Sequence, residues 1–293
     1  MDFHSNSSRR DFLRQLSLLT AATAVSALPI ATASAKKYKP RKIGTNEKVN
    51  LACIGIGNRG GDIIKELYKT GHCNIVALCD TDMGADHTLE IINKFPNAPR
   101  FQDFRIMFDK MANQIDAVCI GTPDFSHFPI TMLSMSLGKH VYVEKPMAHT
   151  FNEVELMMRA AKKYGVVTQM GNQGHSEANY FQFKAWKEAG IIKDVTAITA
   201  HMNNPRRWHG FDANMKSMPA GQPVPSTLDW DTWLGTEQFR EYNKDYVNGQ
   251  WRCWYDYGMG ALGDWGAHIL DSAHEFLQLG LPTEINMLYA KGH

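Results

Sequence analysis

The sequence has no excess of either charge. Its formal net charge is +1 over 293 residues, so no global field points to nucleic acid or to an acidic partner. It is also poor in cysteine. The five, Cys53, Cys73, Cys79, Cys119 and Cys253, form no C-x-x-C pair, which argues against a disulfide framework or a thiolate metal site. Three of them (Cys53, Cys79 and Cys119) fall in stretches predicted as buried strands, where a thiol is a small packing group. A long clean apolar run is missing too: Leu16 to Ala33 is interrupted by Thr20, Thr23, Ser26 and Pro29, a poor membrane-spanning helix. What remains is ordinary globular composition, 44% hydrophobic and 21% charged, enough for one large or two ordinary domains.

The most informative stretch is Val49 to Gly61, VNLACIGIGNRGG. An apolar, strand-like run breaks into Gly55, Gly57 and Gly60 at G-x-G-x-x-G spacing and then into a helical pattern (Ile63, Ile64, Leu67) that Gly71 can cap. Such spacing suits a dinucleotide. Gly55 permits the turn, Gly57 lets a diphosphate approach the backbone, and Gly60 lets helix and strand pack closely. The helix N-terminus, with its unpaired N–H groups and positive dipole end, favours the anion. A second strand, Asn74 to Cys79, ends in Asp80, twenty positions after Gly60, where an acid would accept hydrogen bonds from the adenosine ribose.

Strand and helix patterns then alternate. Ala85, Leu89 and Ile92 mark one face of a helix closing near Asn97 and Pro99, and Phe101 to Met111 reads as a short strand or turn with a helix behind it. Ile115 to Ile120 is a buried strand emptying into Gly121-Thr122-Pro123-Asp124-Phe125-Ser126-His127, followed by a helix over 126–137. His140 to Val143 runs into Glu144-Lys145-Pro146. Thr150 and Glu153 are spaced as a capping box for a helix over 152–164, and Val166 to Met170 leads into Gly171-Asn172-Gln173-Gly174-His175. The alternation predicts a doubly wound parallel sheet, with four polar clusters on the rim formed by the strands' carboxyl ends.

The first thirty-five residues read as an address. Ser8-Arg9-Arg10-Asp11-Phe12-Leu13-Arg14, a weak apolar region and Ala33-Ser34-Ala35 have the form of a twin-arginine signal with a small-x-small cleavage site. The expectation is export, already folded, through the twin-arginine translocase to the periplasm, with residues 36–48 left as a basic, mobile linker.

With Glu144-Lys145-Pro146 in view, the chain resembles the glucose–fructose oxidoreductase / inositol dehydrogenase / MocA family of NAD(P)-dependent oxidoreductases. The resemblance runs from Val49 to the end and is carried in order by GIGNRGG, Cys79-Asp80, GTPDFSHF at 121–128, EKP at 144–146 and GDWGAH at 263–268; PSTLDWDTWLG at 225–235 is similar to exported members from glycan-degrading bacteria. It implies a Rossmann domain over 49–170, then an α/β domain over 171–293 with a large open, mostly antiparallel sheet that forms a homodimer or homotetramer interface. Relative to that pattern a stop at His293 is expected of a fragment.

The resemblance implies a catalytic role for Lys145, Asp264 and His268. Pro146 holds Lys145 extended at a strand end, facing the crevice; the alternative for Lys145 is a surface pair with Glu144. Asp264, His268 and Asp271, four and three apart, share a helix face, Asp271 being left outside the catalytic set. No metal is expected, because no third or fourth ligand accompanies them. The expected cofactor set is Gly55, Gly57, Asn58, Arg59, Gly60, Asp80, Thr122, Pro123, His127, Glu144, Lys145 and Asn172. Asp80 would repel a 2′-phosphate, favouring NAD, while Arg59 keeps NADP open. His175, His201, Arg206, Arg207 and Trp208 lie in or beside loops over the crevice, where each would bind sugar hydroxyls or stay solvated. One or two of the aromatics over 230–265, Trp254 among them, would stack on a sugar.

The implied reaction is hydride transfer between tightly held NAD and a ring hydroxyl of a sugar, glycoside or cyclitol. The alternatives are a redox-neutral NAD-dependent glycoside cleavage on the same scaffold and a non-catalytic sugar or nucleotide binder.

Overall fold

The structure is a computed structural model that describes residues 40–202, 217–286 and 288. The twin-arginine stretch lies outside the described residues, as do 36–39 of the linker. Six strands form one parallel sheet: β1 (Val49–Ile54), β2 (Cys73–Cys79), β3 (Arg100–Phe101), β4 (Ala117–Ile120), β5 (His140–Glu144) and β6 (Thr168–Gly171), in the order β3-β2-β1-β4-β5-β6. That is the doubly wound order whose direction reverses between β1 and β4, and a crevice opens there, beyond the strands' carboxyl ends.

Alternation along the strands explains the two layers. Ala52, Ile54, Val118, Ile120, Val141 and Val143 pack on one face, with Met107 and Phe108 of α3 (Phe104–Met111), Ile130 and Met135 of α4 (Asp124–Ser136), and Met157 and Ala160 of α5 (Phe151–Tyr164). Leu51, Cys53, Leu78 and Cys119 face the other way, against Ile63 and Ile64 of α1 (Asn58–Lys69) and Ile91 and Ile92 of α2 (Asp86–Lys94). The α5 capping box forms as expected: Thr150 Oγ1 accepts from Glu153 N–H, and Glu153 accepts from Thr150 N–H.

Two sequence expectations shift. The buried face of α2 is Thr88, Ile91 and Ile92, while Leu89 is exposed. The cause is the helix start: Ala85 is the N-cap and the Thr88 hydroxyl bonds back to its carbonyl, which turns Leu89 outward. The linker is pinned at one point, because Arg41 makes a two-pronged bond to Asp116 (2.7 and 2.8 Å) that holds its carboxyl below the usual range.

Beyond Gly171 the described residues form α6 (Ala178–Glu188), α7 (Trp230–Leu234), a π-helical turn at Leu262–Gly266 running into a short helix at Ala267–Ile269, and α8 (Asp271–Phe276). Among the described residues the large open sheet is not formed. Among the described residues the one β pairing outside the Rossmann sheet is a bridge between Asp82 and Leu228, and 284–286 have no ladder partner there.

The segment 225–235 docks on the nucleotide half instead. Asp229 N–H donates to Thr81 O, and the Gln102 amide donates to both Thr81 O and Thr227 O. Behind it, Trp230, Trp233, Tyr242, Tyr246, Trp251 and Tyr257 form an aromatic core against Phe125.

Candidate active site

The glycine turn is built by close approach. Gly55 sits at φ +77°, and a Cβ there would lie 2.6 Å from Gly121 C and Thr122 N; one on Gly60 would lie 2.0 Å from Gly55 O. The β1 and β4 turns therefore abut at the sheet's switch point, and only hydrogen side chains fit. Unlike α3, α5 and α7, capped by Asp103, Thr150 and Asp229, α1 has no side-chain cap and no acid in its first turn. Its N-terminal amides remain available to an anion. Asp80 accepts from Ile56 N–H (2.9 Å) and Asp82 N–H (3.1 Å). Burial pushes its carboxyl upward, opposed by those two amides.

From this turn a cleft of about 1020 Å³ leads past Thr122, Pro123, Asp124, His127 and Glu144 to Lys145, Asp264 and His268. His127 is buried, its ring nitrogens 2.7 Å from Pro146 O and 2.9 Å from Thr122 O, so it clamps the β4 loop to the β5 loop. Glu144, also buried, accepts from Arg59 Nε (3.3 Å).

Lys145 does not take the surface pairing with Glu144. Its ammonium donates to the Asp264 carbonyl (2.6 Å) and to Asp264 Oδ1 (2.9 Å), and Oδ1 also meets Arg252 Nε at 3.2 Å. Lys145 and Arg252, far apart in sequence, thus converge on one carboxylate. His268 lies against Trp265, ring centroids 5.2 Å apart, with Nδ1 3.2 Å from Asn172 Oδ1. Burial, then the Lys145 ammonium, lowers its pKa, so the ring stays neutral at and somewhat below the ordinary histidine value.

Two groups at this end escaped the sequence reading. Asp124 is buried, accepts from Met259 N–H at 3.3 Å, and lines the cleft. Burial pushes its carboxyl up to about 7, with Arg252, the Met259 N–H and Lys145 pulling back and Asp264 adding to the rise. Its signal was an acid inside a recognised loop. Arg252, stacked 3.9 Å over Trp251, gave none.

Other expected groups fall elsewhere. His175 is off the cleft lining: it is half-exposed, stacks on Tyr180 and pairs with Asp271 and Glu275 across the α8 surface. Trp254 packs edge-on to Tyr246 and donates its indole N–H to Asp245 O, a core role. Asn172 and Gly60 do not line the cleft directly; Asn172 acts on His268 and Gly60 on Gly55. Arg206 and Trp208 lie outside the described residues, as does Arg207. His201 is exposed.

Two family models match in tandem: "oxidoreductase family, NAD-binding Rossmann fold" over residues 49–172, and "oxidoreductase family, C-terminal alpha/beta domain" over 184–286. The chain belongs to the Gfo/Idh/MocA oxidoreductase family. Its nucleotide is therefore NAD, and the uncapped α1 N-terminus beside Gly55 and Gly57 suits the diphosphate. Among curated relatives, a glycosyl hydrolase family 109 protein of Shewanella pealeana is 28% identical over 69% of this chain and 50% of its own length. A family 109 protein of Akkermansia muciniphila is 29% identical over 64% and 46%. The chain spans about half the length of the curated relatives it matches. Among solved structures, YvaA of Bacillus subtilis aligns at TM-score 0.57 and 22% identity, over 83% of this chain and 55% of that one. GenD2 from gentamicin A biosynthesis, in complex with NAD, aligns at 0.53 and 18%, over 81% and 56%. These two likenesses concern the fold.

Proposed function

We propose that this Gfo/Idh/MocA member is an NAD-dependent enzyme acting on a ring hydroxyl of a sugar, glycoside or cyclitol. The observation that carries this reading is the convergence of Lys145, Asp264 and His268 at one end of a cleft whose other end is the glycine turn. NAD, when bound, supplies the hydride acceptor. Gly55, Gly57, Asn58, Arg59 and Asp80 would hold its adenosine and diphosphate half, with Gly60 supporting the turn. Thr122, Pro123, His127 and Glu144 line the path toward the reacting end.

Lys145 is fixed by Asp264 with its ammonium in the cleft, where it donates a hydrogen bond to the substrate oxygen and stabilises the charge that grows there. His268 is neutral, and so able to take the hydroxyl proton. A positioned acid–base group of this kind is worth roughly 10²–10⁴ in rate.

The family 109 relatives favour a second reading: a redox-neutral glycoside cleavage in which the sugar would be oxidised, lose its aglycone by elimination, take up water at the carbon the aglycone left, and be reduced again by the same hydride within one cycle. One experiment separates the two. Purified protein with NAD is offered a panel of p-nitrophenyl glycosides, free sugars and inositols, and both NADH absorbance and p-nitrophenolate are followed. NADH accumulation with a keto product supports the dehydrogenase, and aglycone release without net NADH supports the glycosidase. Absence of both signals across the panel, with NAD bound, overturns the catalytic reading in favour of a binding protein.

The proposal extends to export by the twin-arginine translocase, a periplasmic location and assembly as a homodimer or homotetramer. It rests on Arg9-Arg10 and the Ala33-Ser34-Ala35 site, and on the resemblance. Outside the cytoplasm no ready pool of free NAD exists, so the cofactor would travel bound. Replacing Arg9 and Arg10 by lysine should retain the protein in the cytoplasm, and native mass spectrometry reads both nucleotide and subunit number.

A further inference from the structure

Histidine offers either ring nitrogen as a base, and the neighbour of the other decides which. Next to His268 that neighbour is Asn172, the residue after β6. Its side-chain amide is fixed from two sides by backbone groups that cannot change role. Gly174 N–H donates to Oδ1 (3.4 Å), and Nδ2 donates to Ala267 O (3.3 Å). An N–H can meet only the amide oxygen, and a carbonyl only the NH₂. The orientation of the amide is therefore set without reference to the imidazole, and an oxygen faces His268 Nδ1 at 3.2 Å.

We propose that Asn172 is a positioning residue, whose Oδ1 holds the proton of neutral His268 on Nδ1 and so leaves Nε2 as the lone-pair site that accepts the substrate proton. This deepens the proposed function and rests on its assignment of His268 as the acceptor. Asn172 also ties that acceptor to the lysine. It follows Gly171, whose carbonyl accepts from Lys145 N–H, and it grips Ala267, the residue before His268. Gly171 and Asn172, adjacent at the end of β6, thereby link the backbone of Lys145 to the helix that carries the imidazole. The charged groups acting on this imidazole are Lys145, Asp264, Glu177 and Arg59; burial and Lys145 together keep it neutral.

The test is long-range ¹H–¹⁵N correlation NMR on the full chain labelled at histidine nitrogens, with His268 assigned from a His268→Gln sample. A protonated Nδ1 and an unprotonated Nε2 near neutral pH are expected; an Nε2–H signature overturns the proposal. Asn172→Leu should release the tautomer preference and lower kcat on whichever panel compound is turned over by on the order of 10²-fold, with a much smaller change in KM. Asn172→Asp retains an acceptor at the same place. It should restore the Nδ1–H signature and, by adding a negative charge, move the acid limb of kcat to higher pH. If Asn172→Leu fails to fold, the wild-type and Asn172→Asp spectra still decide. An unchanged tautomer in Asn172→Leu overturns the proposal. Undiminished turnover by His268→Gln, with the wild-type Nδ1–H signature as expected, overturns the acceptor role and leaves the tautomer assignment supported.

Discussion

The Lys145 ammonium lies 2.9 Å from Asp264 Oδ1, joining residues 119 positions apart, and both side chains are less than one-tenth exposed. Charges this deep persist because each satisfies the other. The pair also determines what a substitution at 145 does. In Lys145→Met the Asp264 carboxylate keeps Arg252 at 3.2 Å, so no naked charge is left and the fold should survive. Turnover should fall by roughly 10²–10⁴ while NAD binding, followed by tryptophan fluorescence, weakens far less. Wild-type turnover in this variant would remove Lys145 from the chemistry.

The glycine turn makes a prediction about shape rather than charge. In Gly60→Ala the new methyl would sit 2.0 Å from the Gly55 carbonyl oxygen, a backbone atom with little freedom to retreat. Overpacking of this kind costs about 1–3 kcal/mol. Because the displaced atom belongs to the turn that faces the diphosphate, NAD affinity should fall in the same variant. Thermal melts with and without NAD check both, and a variant with unchanged Tm and unchanged NAD-induced stabilisation would count against the close approach.

What was legible in the sequence follows from what period and spacing encode. The strand at Val49–Ile54, the turn at Gly55, Asp80 at a strand end and the Thr150–Glu153 box are local features, and a short window contains their physics. Lys145, Asp264 and His268 were picked out through motifs, without any knowledge of what they touch. Arg252 was invisible because its relation to Asp264 is purely tertiary, and Asp124 because an acid opening a helix is ordinary until burial is known. His175 and Trp254 were read as binding groups for the converse reason. A polar ring in a loop and an indole in an aromatic-rich span look like binding groups, until Asp271 and Tyr246 are found beside them.

Thiol reactivity offers a simple probe of the sheet. Cys53, Cys79 and Cys119 are buried in three adjacent central strands, and burial pushes all three thiols up, Cys119 to about 12. The thiolate is the reactive form. In the native protein these three should resist iodoacetamide at neutral pH and react only on unfolding, with labelled sites mapped by peptide mass spectrometry. Rapid native labelling of Cys119 would mean that the strand opens or is not where the register with Cys53 puts it.

Asp124 gives the pH dependence its sign. Its carboxyl is raised from the ordinary 3.8 to about 7 by burial, against the pull of Arg252. Between those two values the folded chain holds a proton that the unfolded chain has released, so this group makes stability fall as pH rises. Below about pH 4 both states are protonated and the group contributes nothing. Above about pH 7 both are ionised, and the folded state carries the full cost of a buried carboxylate. Asn has nearly the same shape, and its oxygen can still accept the Met259 N–H. Asp124→Asn should therefore match wild type near pH 4 and pull ahead by up to roughly 1.4 kcal/mol for each pH unit climbed toward 7. Urea midpoints measured in parallel across that range read the difference directly, other titrating groups cancelling between the two proteins. A difference that stays flat, or favours wild type at pH 8, would mean that Arg252 and Lys145 outweigh burial at this carboxylate.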